Sequence, residues 1–245
     1  MLTVAIMIGR KNSKGLPGKN MRNINGHPMA YWPIKAAKES TYIDHIFVST
    51  DDKDIKDLAL KLNVRVIDRP DKLALDNSLA EETFVHAYGE VVKKLEDKVS
   101  TKIGLLVLLM ANAPTVNAQL IDQGILAMQQ NPDLDSAVTV SKYNMWSPSR
   151  ARKIESSGLL TSFYPLEVLN EFVEINCDRD SQGDVYFADM GASIVRPRNL
   201  QQLTEGMLPQ KWMGRKISPI INEGGLDVDY EFQIGQAEFW LKNQL

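Results

Sequence analysis

The chain has 245 residues with 28 basic and 31 acidic side chains, a formal charge of −3, 44% hydrophobic residues and one cysteine. This length suits one large domain or a domain with an embellishment, and the composition is that of a globular protein, which excludes disorder and collagen-like repeats. Weak acidity argues against a protein that coats nucleic acid, and the lack of eighteen consecutive apolar residues argues against a membrane-spanning helix.

Residues 3–8 form a continuous apolar run followed by a loop containing Gly9, Gly15 and Gly18, which reads as a buried strand feeding a loop. Residues 28–38 read as a helix. His45 to Thr50 reads as a second strand, Asp51 and Asp52 can cap a helix through Leu62, and Val64 to Ile67 makes a third strand. Further helices are expected over 80–94 and 118–129, leading to strands over 103–110 and 136–140. This alternation predicts a three-layer α/β fold, a mostly parallel sheet with helices on both faces. From 142 to 182 the rhythm is lost, which marks an excursion from the main sheet. It returns with strands over 192–196 and 217–221. A final helix, about 230–242, puts Ile234, Ala237 and Leu241 on one face.

The loop GRKNSKGLPGKN at 9–20 carries Arg10, Lys11, Lys14 and Lys19 without one acid. Its glycines permit close backbone approach and its cations would neutralise phosphate charge. It is neither a Walker A loop nor a dinucleotide fingerprint. On composition alone, a polyphosphate site and a solvated basic turn stand level.

GRKNSKGLPGKN resembles the N-terminal signature of the acylneuraminate cytidylyltransferases, which couple CTP to sialic acid and related sugar acids, and of their relatives acting on Kdo. The resemblance implies a Rossmann-like nucleotidyltransferase fold, and it makes Arg10, Lys19 and Asn20 phosphate contacts, with Lys14 a further one. VSTDD at 48–52 and RPDKLALD at 69–76 continue the match, and Arg69 takes the role of an arginine that meets the nucleotide. Standing alone, Arg69 would read as a surface partner of Asp71 or Asp76. LLVLLMANAPT at 105–115 falls at a strand's carboxyl end, where ligands bind in open α/β sheets. There Met110 replaces the family's usual glutamine, and Asn112 is placed to contact a metal or the sugar acid.

Asp227 and Asp229 in GLDVDYEF resemble the family's magnesium-binding Asp-x-Asp. In an extended segment the two would point to one side and converge on a hard cation. Asp229 can equally serve as a helix N-cap. NCDRDSQGDVYFADMGAS at 176–193 resembles a region of sugar-acid contacts and dimer surface. Arg179 is the counterpart of a carboxylate-gripping arginine, although a structural ion pair with Asp178 or Asp180 also fits it. Lys142 is a further substrate contact, and Met190 replaces the family's asparagine.

The resemblance thus implies a magnesium-dependent transfer from CTP to a 2-keto-3-deoxy sugar acid, with Arg10, Lys19 and Asp229 as the catalytic set and 142–182 as a homodimerisation lobe. Two alternatives stand beside it: an acceptor that is a sugar 1-phosphate or phosphonate, and a nucleotide-binding homologue without turnover. Cys177 is alone, which forbids an intramolecular disulfide and points to a reducing cytoplasm. The opening MLTVAIMIGR lacks the basic stretch expected ahead of a signal-peptide core. His27, His45 and His86 have no ligand spacing and receive no role.

Overall fold

The computed structural model describes residues 1–12, 15–95, 102–165, 167–168, 176–178 and 180–243. In chain order it runs β1 (Leu2–Gly9), β2 (Asn23–Ile24), β3 (His27–Pro28), α1 (Tyr31–Glu39), β4 (His45–Thr50), α2 (Lys53–Lys61), β5 (Arg65–Asp68), α3 (Ala80–Leu95), β6 (Ile103–Met110), α4 (Ala118–Gln130) and β7 (Ser136–Lys142). Then come β8 (Arg152–Ile154), β9 (Leu160–Ser162), β10 (Tyr186–Val195), α5 (Pro197–Gln201), β11 (Ile217–Ile221) and α6 (Glu231–Asn243).

Seven strands form one sheet in the order β11, β7, β10, β6, β1, β4, β5. The contacts of β1 with β4 and β6, of β4 with β5 and of β7 with β11 are parallel, whereas β10 lies antiparallel to β6. Central β1 explains its own sequence. Ala5 and Met7 join one core with Ile34 of α1, Ile55 of α2 and Ile121 of α4, while Val4, Ile6 and Ile8 join a second with Phe84 and Val91 of α3. Both faces are covered, so both alternating sets must be apolar.

Local signals agree with this packing. The Asp52 side chain accepts from the Asp54 N–H at 2.8 Å to start α2, and Asn117 accepts from Leu120 N–H at 3.0 Å to start α4. Two expected elements are corrected: the strand read over 192–196 is Tyr186–Val195, its exposed first residues giving no apolar run, and the helix read from Pro28 starts at Tyr31, because Pro28 belongs to the hairpin of β2 and β3. Asn25 and Gly26 between them take φ values of 48° and 88°, the left-handed pair that an Asn-Gly turn supplies. Trp212 is buried against Phe84 with ring centroids 5.7 Å apart.

The chain divides into two compact units, residues 1–140 with 188–245, and residues 141–187. The second unit contains the excursion and pairs β8 with β9 as an antiparallel hairpin. In the first, the register sets Gly9 opposite Thr50 and Ile8 opposite Met110, so β1, β4 and β6 end at one level.

Gly9 is tightly enclosed there: a Cβ on it would lie 2.7 Å from the Ala111 Cβ and 3.1 Å from Ile55 Cδ1. Gly9→Ala is expected to lower unfolding stability by about 1–3 kcal/mol, the usual cost of overpacking, measurable by urea denaturation.

Candidate active site

The basic loop leaves β1 at Gly9 and returns through Gly18, whose φ of 67° begins the single helical turn Lys19–Met21. Buried Asn20 ties the loop's base, its Nδ2 donating to the Arg10 carbonyl at 3.0 Å, while its Oδ1 is buried with no partner. Arg10 is held from the far side by Leu75, whose carbonyl accepts from Nη1 at 2.8 Å, and by Asp76 at 3.7 Å. Lys14 lies outside the described residues.

Arg69 follows β5 and is 7% exposed. It is not the surface partner of Asp71 or Asp76: Nη2 donates to the Ser49 carbonyl at 3.4 Å and Nε has no partner. Burial pushes its guanidinium down to about 10, with Asp51 opposing and neighbouring Arg10 adding to the fall. Such a cation is short of acceptors, which suits it to an incoming anion.

The Asp227–Asp229 segment is laced to the loop after β6. Val228 is buried; its N–H donates to the Asn112 carbonyl at 2.7 Å, and Asn112 Nδ2 donates back to the Val228 carbonyl at 3.2 Å. The helix that follows is capped by Gln233, whose Oε1 accepts from the N–H groups of Asp229 and Tyr230 at 2.7 and 2.8 Å. Asp229 is therefore released from capping, and its carboxylate pairs with Lys19. Gly15 packs so closely on this segment that a Cβ there would sit 2.8 Å from the Asp229 carbonyl oxygen. Burial, and then the charge of Asp229, raise the Asp227 carboxyl above the ordinary carboxylate range, against the Lys19 charge and an Asn112 hydrogen bond.

Arg10, Lys19, Asn20, Arg69, Asn112 and Asp229 thus line one cavity of about 430 Å³, whose apolar side includes Leu73, Leu79 and Met110. Lys142 belongs to the second unit, where it pairs with Asp184 at 3.3 Å; Asn144 and Lys142 hold that carboxyl below its ordinary range. Arg179 lies outside the described residues. Met190 is not a lining residue: it has φ 63° and packs into the second core, so the position calls for a residue that tolerates left-handed backbone, as asparagine does.

Sequence reasoning passed over Asp51, whose Oδ1 accepts from the Lys11 N–H at 3.2 Å, and over Gln233 and Tyr230. Gln233 carried a signal, since a glutamine three residues into a helix can reach back to its start.

The profile of the cytidylyltransferase family matches residues 4–155, more than half of the chain. The chain belongs to the cytidylyltransferase family. Among its curated relatives is CMP-N,N'-diacetyllegionaminic acid synthase of Legionella pneumophila, 29% identical over 193 residues, which are 77% of this chain and 78% of that one. N-acylneuraminate cytidylyltransferase A of Danio rerio is 34% identical over 80 residues, 33% of this chain but only 19% of that one. Among solved structures, CMP:2-keto-3-deoxy-manno-octonic acid synthetase complexed with CTP superposes with a TM-score of 0.67 over 100% of both chains at 16% identity. The 4-diphosphocytidyl-2C-methyl-D-erythritol synthase of Anaerococcus prevotii follows at 0.61, with 13% identity over 98% of this chain and 96% of that one. These two likenesses show the fold of this nucleotidyltransferase.

Because its folded pKa is raised, Asp227 contributes stability that is complete below its unfolded pKa of about 3.9 and is lost as pH rises through the folded value. In metal-free buffer, Asp227→Asn is expected to melt at a higher temperature than the wild type at pH 7–8, the gap closing toward pH 4. Thermal denaturation across that range measures it.

Proposed function

We propose that this cytidylyltransferase couples CTP to a 2-keto-3-deoxy sugar acid of the nonulosonic class, sialic or legionaminic in type, yielding a CMP-sugar and pyrophosphate. The observation that carries the reading is the meeting of Arg10, Lys19 and Arg69 with Asp229 and Asn112 in one cavity at the ends of β1 and β6. The legionaminic acid relative, aligned over most of both chains, supports the acceptor class.

Asp227 and Asp229 fit magnesium. No cluster of three or more His, Cys, Asp or Glu side chains occurs among the described residues, so the protein offers two carboxylates and leaves further positions to phosphate oxygens and water. The raised Asp227 carboxyl supports the same reading, since a dication would relieve the repulsion from Asp229. When bound, the ion would draw charge from the phosphate oxygens and acidify a neighbouring hydroxyl.

Lys19 pairs with Asp229. In the complex it is free to turn to the triphosphate once the carboxylate is engaged elsewhere, so charge neutrality is exchanged rather than created. Arg10, Asn20 and Arg69 receive phosphate oxygens, with Lys14 as a further contact, and Asn112 orients the acceptor. The anomeric oxygen forms its bond to the α-phosphorus while the α–β bridging bond breaks, pyrophosphate leaves, and the hydroxyl proton passes to water. Positioning and charge stabilisation suffice for such a step.

Pyrophosphate release with magnesium, CTP and a panel of nonulosonic acids tests this. Activity with one acid, lowered about 100-fold or more in Lys19→Ala and Asp229→Asn, is the expected result. Release only with a sugar 1-phosphate or phosphonate would refute the acceptor assignment, and CTP binding without release for any acceptor would refute turnover.

We further propose that the protein is a cytoplasmic homodimer joined through residues 141–187. Trp146, Ile154, Leu160 and Phe163 of this unit are 63, 74, 70 and 55% exposed, a concentration of apolar surface suited to a second copy. No described helix is long and apolar enough to cross a membrane. Sedimentation at micromolar concentration is expected to show a dimer for the wild type and a monomer for the double variant Ile154→Asp, Leu160→Asp.

A further inference from the structure

We infer that Asp189, which does not line the cavity, is a positioning residue for the metal-binding carboxylates. Resting on the magnesium reading above, the assignment follows from a buried polar network between β10, the loop after β6 and the segment that carries Asp227 and Asp229.

The network begins with a break in β10. Met190 adopts φ 63° within the strand, a conformation that is unfavourable for a side-chain-bearing residue and persists only where its surroundings impose it. Beside it, Asp189 is buried at 4% exposure. Its Oδ1 accepts from the Thr139 hydroxyl at 2.6 Å and from the Gly191 N–H at 3.0 Å, and its Oδ2 accepts from Asn222 Nδ2 at 2.9 Å. Thr139 Oγ1 in turn accepts from the Ala192 N–H at 2.9 Å, closing the kink on itself.

Asn222 passes the constraint onward. Its Nδ2 also donates to the Thr115 carbonyl at 2.9 Å, and Thr115 Oγ1 both donates to the Leu226 carbonyl at 2.9 Å and accepts from the Leu226 N–H at 2.8 Å. Leu226 immediately precedes Asp227. Together with the Asn112–Val228 pair, these bonds hold the segment at Asn222, Leu226 and Val228, just before Asp229.

The space is filled to the limit. A Cβ on Gly225 would fall 2.1 Å from Asn222 Nδ2 and 2.3 Å from Asp189 Oδ2. A network serving cohesion alone has no need of a buried carboxyl group, because apolar packing would do as well. A carboxyl whose two oxygens both accept in fixed directions is suited to setting where a neighbouring backbone runs. Partners behind a metal ligand act in this way on affinity.

The test is Mn²⁺ binding in the presence of CTP, read from the free-ion electron paramagnetic resonance signal. It compares the wild type with Asp189→Asn, Thr115→Val, Thr115→Ser and Gly225→Ala, and with Asp229→Asn as the direct control. Thr115→Val keeps shape and removes only the hydroxyl, so it serves should Asp189→Asn fail to fold. Thr115→Val and the other network variants that fold are expected to weaken Mn²⁺ about 10-fold or more, with Thr115→Ser restoring it. Mn²⁺ affinity within twofold of wild type in folded Asp189→Asn or, should that variant not fold, in folded Thr115→Val and Gly225→Ala, but lost in Asp229→Asn, would overturn the positioning role alone. Undiminished binding in Asp229→Asn would overturn the metal reading, and this inference with it.

Discussion

The contact between Lys19 and Asp229 joins segments 210 residues apart and is the constraint on which the site depends. Each partner is positioned by its own segment. Lys19 is set by the turn that Gly18 begins, and Asp229 by the pairing of Val228 with Asn112 and by the Gln233 cap. Gly15 rests on the Asp229 carbonyl without room for a side chain, so loop and segment are registered through backbone as well as charge. The basic loop and the acidic segment, which could each be a solvated turn, become opposite walls of one cavity.

Charge in that cavity is arranged unevenly. Arg10 is braced by Leu75 and Asp76, while Arg69 is buried with too few acceptors and a second guanidinium nearby. Asp227, which is not among the cavity's lining residues, is held against its preference by burial and by Asp229. The arginines thus carry an electrostatic cost that an anion would relieve, and on the proposed magnesium reading a dication would do the same for the carboxylates.

Much of the fold was legible because its strands are buried on both faces or bounded by strong caps. The strands at His45–Thr50, Ile103–Met110 and Ile217–Ile221 have the expected limits, since apolar runs end where the chain leaves the sheet. The start of α1 differs from the sequence pattern because Asn25-Gly26 turns a hairpin ahead of it, and the burial of Trp212 against Phe84 has no local sign, since a lone aromatic among polar neighbours does not disclose the ring it meets. Met190 looked like a change in a binding pocket; its positive φ makes it a matter of backbone conformation. The resemblance in the loop at 9–20 pointed to Arg10, Lys19 and Asn20 and that at 69–76 to Arg69, which line one cavity, and Lys14 and Arg179 lie outside the described residues.

By itself, the sequence determined the layer order, because hydrophobic period and capping act over a few residues and need no distant partner. It also placed the basic loop at 9–20 and the acidic pair at 227 and 229. Only the tertiary structure decided that Gln233 rather than Asp229 caps the last helix, that Arg69 is buried instead of paired at the surface, and that Asp189, Asn222 and Thr115 converge behind the acidic segment. Those outcomes turn on which groups meet across the fold and on how much water is left between them, and neither quantity is written in local pattern.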